Sequence, residues 1–516
     1  MIKIALRELF TGCFPTNIME FHHDDPDLIW INPAFEDEGR GSFEEPFCEV
    51  ERALANIGPG RTIVLQAGEY GSDLNIQVSG NVRNPIRIAA ESEGAAIVKS
   101  ACWFFYDTSD LIVSGIKFTE APNGAITLIG ACSRNRFDNI SFINCGVRKS
   151  AACTFYIGGA GGGCNVIENC SFEHDPGSRD TKLTARTASI GLMVSQGDTA
   201  SGDPLVNNII RRNRFSGYGF GILVGGDDSK NVHCGHVVEY NIVRNCSHEG
   251  IFIKSADTTV RGNVIEHCSG NALSLGSELD CNVVANRISD CINGIVVHGK
   301  GHTISGNCLI RCAGGGVRVG RADPAAGAAA LNCFVESNTF IDCGTPSAEG
   351  GSRIAGVIID SGTSGIMQHN LIWGEGRPYG VVQKPGLCND EGESAVTQFV
   401  IKDNGAAGSC SLLDGVGYVE TGFDDAAGDN YGNSCGFGAQ GWVLLPGGFD
   451  PDIDEVHSGG DYRESSIVED DEGNPIIPDG EPAGRGNLFG NFFAQYLDEG
   501  GDDMDGYMFP ANGSEE

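Results

Sequence analysis

VEYNIVRNC (238–246), VRGNVIEHC (260–268), VVANRISDC (283–291), ISGNCLIRC (304–312) and VESNTFIDC (335–343) are copies of one nine-residue phrase. Its fourth place is always Asn, at Asn241, Asn263, Asn286, Asn307 and Asn338. Five residues later stands Cys246, Cys268, Cys291, Cys312 or Cys343. The first four copies recur about every 22 residues, and the Ala/Gly-rich stretch Ala322 to Ala330 lengthens the last interval. Looser copies, FDNISFINC (137–145), IENCSFEHD (167–175) and MQHNLIWGE (367–375), extend the series in both directions.

A period near 22 with short β-branched strands suits a chain that turns three times per coil and returns about 4.8 Å above its start. The expected fold is all-β: a right-handed parallel β-helix, a single-stranded solenoid. Equivalent residues then stack. A buried Asn at each turn can bond its neighbours above and below, which satisfies turn backbone that would otherwise lack partners. A small apolar thiol packs well in an inward column, so the 20 cysteines read as core residues and not as the disulfide framework of a short secreted scaffold.

Working outward, CEVERALANIGPG (48–60) has helical spacing at Val50, Leu54 and Ile57 and stops at Gly-Pro-Gly, ahead of the strand TIVLQAG (62–68). This predicts a short helix capping the first coil, where strand edges would otherwise lie open. From Pro385 to Glu516, 28 Asp and Glu face 3 Lys and Arg, which places 25 of the 35 net negative charges there. The expected organisation is an N-terminal extension (1–44), the capped β-helix (45–384) and an acidic, loop-rich C-terminal region (385–516). Such acidity repels phosphate backbones, so nucleic acid is excluded as a partner. No run of 18 apolar residues supports a membrane-spanning helix. Arg7 and Glu8 interrupt the N-terminus, so no signal peptide is read, and Phe10 to Cys13 matches a lipoprotein cleavage box without the apolar run it needs.

Most coils open on Gly, apolar, any, apolar: GILV (221–224), GIFI (250–253), ALSL (272–275), GIVV (294–297), GVRV (316–319) and GVII (356–359). Strand alternation turns the third residue outward, together with the residue after the motif. One outward column then holds Leu223, Phe252, Ser274, Val296, Arg318 and Ile358, and the next holds Gly225, Lys254, Gly276, His298, Gly320 and Asp360. Lys254, His298 and Arg318 share one face, with Glu249 at the strand start and Asp227 and Asp228 just beyond the preceding strand.

Cleavage of uronic-acid polymers by elimination needs a base for the proton beside the carboxylate and a cation or metal for the developing negative charge. Lys254 is the candidate base, with Arg318 and His298 as catalytic partners. Ser274, His302, Arg321 and Asp360 are candidate substrate contacts; Arg318 and Arg321 equally suit internal salt bridges. Asp227 and Asp228 suit a metal site, a hydrolase-like carboxylate pair or simply a turn. In the acidic tail, Asp450, Asp452, Asp454 and Asp461 fall at positions 1, 3, 5 and 12 of a calcium-type loop, although Glu455 stands where such loops place Gly.

Two segments carry a family resemblance. IWINPAFEDEGRGSFEEPFCEVERALANIGPGRTIVLQAGEY (29–70), with NPIRIAAESEGAAIV (84–98) and DLIVSGIKF (110–118), resembles the opening segment of pectin lyase-like β-helix proteins: secreted polysaccharide lyases and phage proteins of that build. The stretch from Glu249 to Leu309 resembles the catalytic coils of the alginate lyase and chondroitinase B family. That resemblance implies Glu249 as a Ca2+ ligand, Lys254 as the base and His302 as a groove residue. The family's arginine, one coil after the lysine, falls on Gly276, and a second acidic ligand falls on Ser247. Two functions are therefore expected in parallel. One is an extracellular protein that engages a polysaccharide or cell-surface glycan, cleaving uronic-acid polymers as a lyase. The other is a non-catalytic, virion-associated tail spike, for which analogy implies a homotrimer.

Overall fold

The computed structural model describes residues 21–146, 153–159, 161–174, 189–196, 204–225, 234–276, 279–320, 330–344, 356–360, 362–374, 379–383, 398–402, 404–408, 411–414, 468–469 and 475–476. Strands of mostly three to five residues assemble into three long, wholly parallel sheets. Sheet 1 runs from Leu28–Ile31 to Gln398–Lys402, sheet 2 from Leu74–Ile76 to Ser411–Asp414, and sheet 3 from Gly68–Tyr70 to Gly405–Gly408. Leu28–Ile31 pairs with the next strand, Thr62–Leu65; from there the chain visits sheet 1, then 3, then 2 in every coil, so each strand pairs with the third strand along. The expected parallel solenoid is the fold.

The repeated phrase is a repeated turn. Arg212, Tyr240, Gly262, Ala285, Gly306, Ser337 and His369, each just before an Asn, all have φ between 53° and 63°. Left-handed backbone costs a non-glycine residue roughly 1 kcal/mol or more; the Asn that follows offsets it. Asn241 donates Nδ2–H to Asn263 Oδ1 at 3.0 Å, and that same oxygen accepts the Asn241 backbone N–H at 2.9 Å. Asn263 repeats both bonds to Asn286, and the series continues through Asn307, Asn338 and Asn370 to Asn404. The thiol column follows suit: Asn245, His267, Asp290, Arg311 and Asp342 are left-handed, and the cysteine after each is buried. Among the described residues no disulfide joins the cysteines.

Two of the looser copies are out of phase. Asn139 and Asn169 are themselves the left-handed residues, and the stack position falls on Ile140 and Cys170. The ladder instead begins at Asn213, whose Oδ1 accepts the Cys170 N–H at 3.0 Å. Asn213 is followed five residues later by Tyr218, so it lacks the cysteine that marks the phrase.

Inward residues of sheet 3 form the core's spine. Phe118, Phe142, Phe172 and Phe215 lie in register, with ring centroids 5.5, 4.6 and 4.4 Å apart. A helix at Val50–Leu54 buries Val50 and Ala53 in the same core. The acidic tail's calcium-type loop, Asp227, Asp228 and Arg321 lie outside the described residues.

Candidate functional site on the outer face of sheet 2

The glycine of the repeated sheet 2 motif is an inward position. A Cβ on Gly250 would stand 2.7 Å from Ile265 Cγ2, and one on Gly221 would stand 2.6 Å from Val243 Cγ1. Glycine and the next apolar residue both face the core, so the residue before the glycine faces out. This creates an outward column absent from the sequence reading: Ile190, Phe220, Glu249, Asn271 and Asn293.

The two expected columns are in register. Leu223, Phe252, Ser274, Val296, Arg318 and Ile358 pair successively. The neighbouring column is aligned by Lys254, Gly276, His298, Gly320 and Asp360, each donating its backbone N–H one coil back. Glycines alternate with side chains there, which leaves room for Lys254, His298 and Asp360 to lie along the face. Gly225 is required, since its φ is 100° and a Cβ would stand 2.6 Å from Lys254 O.

Lys254 is only 5% exposed, with Nζ 5.6 Å from the Phe252 ring centroid. Phe252 belongs to an outer apolar patch with Ile190, Phe220 and Leu223. Arg318 makes a two-pronged bond to Asp360, Nε at 2.7 Å and Nη2 at 3.1 Å, realising the internal salt bridge. Asp360 is 2% exposed, and Ser274 is also buried. Thus Asp360 and Ser274 are committed to the face's own bonding, Ser274 accepting Asn271 Nδ2–H at 3.0 Å. His298 is half-buried on the same face.

His302 corrects an expectation. It is 0% exposed and stands inside the solenoid, where Nδ1 accepts the Cys281 N–H at 3.1 Å. It occupies a second turn column, with Asn135, Asn165, Asn208 and His236 in earlier coils. The Gly-His pair that suggested a groove contact is therefore a turn whose imidazole takes the place of a ladder amide.

Glu249 is half-buried as a residue, but Oε2 is sealed from solvent and has no hydrogen-bond partner. Asn271 Nδ2 donates to Oε1 at 3.2 Å, and Asn293 Nδ2 donates to Asn271 Oδ1 at 2.8 Å. Burial pushes the carboxyl up to about 7, against the opposing pull of Ser274, Asn271 and the Lys254 charge. Calcium takes six to eight oxygens. Around Glu249 the described residues supply one carboxylate; the Asn271 oxygen already accepts from Asn293, an amide hydrogen faces Oε1, and Ser247 fills the second acidic place. This donor set does not fit a calcium ion.

Toward the N-terminus the same face turns aromatic. Phe104, Thr127, Tyr156 and Met193 continue the Phe252 column in register. Phe104 and Tyr106 stack at 6.2 Å and 17°, and the phenol end of Tyr156 lies over Gly158, where a Cβ would collide with it.

A family model described as "Right handed beta helix region" matches residues 205–383. The solenoid is a right-handed β-helix. Against known chains, this β-helix is 23% identical over 130 residues to the uncharacterized protein YwoF of Bacillus subtilis (strain 168). That alignment covers 22% of the chain and 28% of YwoF, under a third of the relative's length. The solved structure of the PL6 family alginate lyase AlyGC superposes with a TM-score of 0.50 at 18% identity, over 72% of this chain and 51% of that one. A mannuronic acid specific polysaccharide family 6 lyase from human gut microbiota gives 0.48 at 21% identity, over 68% and 82%. The resemblance to polysaccharide lyases thus holds at the level of the fold, which by itself does not carry an activity.

Proposed function

We propose that the chain is an extracellular β-helix protein that engages an extended polysaccharide along the outer face of sheet 2, and that it cleaves uronic-acid polymers there by β-elimination. The observation that carries this is the register, which lines up Lys254, His298 and Arg318 on one face with the rings of Phe104, Tyr106 and Tyr156. Polar groups fix orientation while aromatic faces supply contact area, the usual composition of a ligand site. In the elimination, Lys254 is the base that takes the proton beside the carboxylate. The electron pair left behind forms a carbon–carbon double bond as the bond to the leaving glycosidic oxygen breaks, and that oxygen keeps the bonding pair and takes up a proton from water. Arg318, oriented by Asp360, is the cation placed to meet negative charge building on the carboxylate.

A second reading, a saccharide-binding surface protein without catalysis, draws on Gly276, which stands where the lyase family's arginine is expected. Incubation with alginate, pectate and chondroitin, read by ultraviolet absorbance of unsaturated products, separates the two. Product formation that Lys254→Ala lowers by at least about a hundredfold supports the base assignment. Unchanged turnover in that variant removes Lys254 from the mechanism, and silence on every polymer, with saccharide binding retained, leaves the binding protein.

A further inference from the structure

Glu249 sits where an apolar column becomes an amide column. The preceding coil presents Phe220, which is 6% exposed, and the next presents Asn271, followed by Asn293. The amides point one way: Asn293 donates to Asn271, and Asn271 donates to Glu249 Oε1. Donors therefore arrive at one carboxyl oxygen only, and the sealed Oε2 receives none. An ionised carboxylate with one oxygen cut off from water and from donors is expensive. A proton on Oε2 removes that cost; a calcium ion would need oxygens that the amide column does not offer.

We propose that Glu249 acts as a proton-bearing carboxyl in place of a metal ligand, and that its charge state sets the affinity of the Lys254 face for an anionic saccharide. The affinity half rests on the polysaccharide reading above. Neutral Glu249 presents no negative charge to a ligand carboxylate; ionised, it repels that carboxylate and draws on the Lys254 charge. Lys254, just past the end of the strand that Glu249 begins, is the charged group acting on Glu249 among the described residues. Phe220, Asn271 and Ser274 face it uncharged from the adjoining coils, and the His248 ring lies against Phe220 at 5.5 Å.

The sign of the linked stability follows. The folded chain holds this proton up to about pH 7, whereas an unburied carboxyl releases it near 4.5. The contribution is full below 4.5 and is lost as pH rises to about 7. The test uses the full-length wild-type chain and Glu249→Gln, whose amide mimics the neutral acid. Melting temperature is followed from about pH 5 to about pH 8, with and without calcium chloride, alongside affinity for an alginate oligosaccharide.

Three results are expected. The wild-type melting temperature falls relative to Glu249→Gln as pH rises, calcium chloride shifts the two alike, and wild-type affinity drops by on the order of five- to tenfold while the variant's stays flat. Calcium stabilising the wild-type chain but not the variant, or parallel pH profiles for the two, overturns the proton assignment. Should Glu249→Gln fail to fold, Glu249→Ala takes its place in the calcium arm. Absence of binding to alginate, pectate and chondroitin alike overturns the affinity half together with the polysaccharide reading; the melting profiles still decide the proton.

Discussion

Replacing Asn263 by Ala strikes the ladder at its middle. Asn263 is fully buried, and its Oδ1 is the acceptor for both the Asn241 backbone N–H and Asn241 Nδ2–H. Its own Nδ2 donates to Val238 O at 2.9 Å and to Asn286 Oδ1 at 2.9 Å. Some of these groups keep another bond: Asn241 Nδ2 still reaches Ile210 O, and Asn286 Oδ1 still accepts the backbone N–H of residue 263. The Asn241 N–H keeps none of those bonds, Val238 O loses a donor, and a small void opens where the amide lay. At roughly 1–3 kcal/mol for each buried group deprived of its partner, the expected loss is about 2–5 kcal/mol. The assay is urea unfolding, supported by hydrogen exchange at residues 238–246, because solenoids are stabilised coil by coil and can open locally without global unfolding. Exchange should quicken at Asn241 before it quickens two coils away. A loss below about 1 kcal/mol with unchanged exchange at Asn241 would refute the claim that these amides hold successive turns together.

Two further outcomes are expected. Tyr156→Ala should weaken binding of long oligosaccharides by roughly 1 kcal/mol and leave a disaccharide at the Lys254 end unaffected; equal losses for both lengths in isothermal titration would count against one extended ligand path. In alkylation read by peptide mass spectrometry at neutral pH, exposed Cys164 should label about tenfold or more faster than Cys145, Cys268 and Cys291. Burial pushes the Cys145 thiol up to about 12, while thiol–thiol hydrogen bonding and burial push Cys268 and Cys291 upward. Comparable labelling of Cys268 would contradict a closed thiol column.

The fold was legible because a solenoid writes one local problem many times: from Asn213 to Asn404 an Asn recurs at the same turn, and the phrase shows it. The phase at Asn139 and Asn169 was misread because Asn also suits the left-handed position just before the ladder, so residue type alone cannot separate the two roles. Columns through Lys254 and Arg318 followed from strand alternation. The column through Glu249, Asn271 and Asn293 did not, since the inward glycine breaks that alternation; a scan of residues preceding each such glycine would have found it. His302 was misplaced for a related reason: imidazole can stand in for Asn in a turn stack, and a Gly-His pair looks the same whether the ring points in or out.

Glycine at every second position of the Lys254 column has a consequence for how this surface can change. The scaffold repeats with each coil, but its decorated face repeats only every two, as Lys254, His298 and Asp360 are each separated by a bare glycine coil. Duplicating a single coil would leave the core undisturbed while putting bulky groups side by side or doubling a gap. Growth or shrinkage in pairs of coils preserves the spacing, so recombination that is neutral for the backbone is not neutral for what the face can grip.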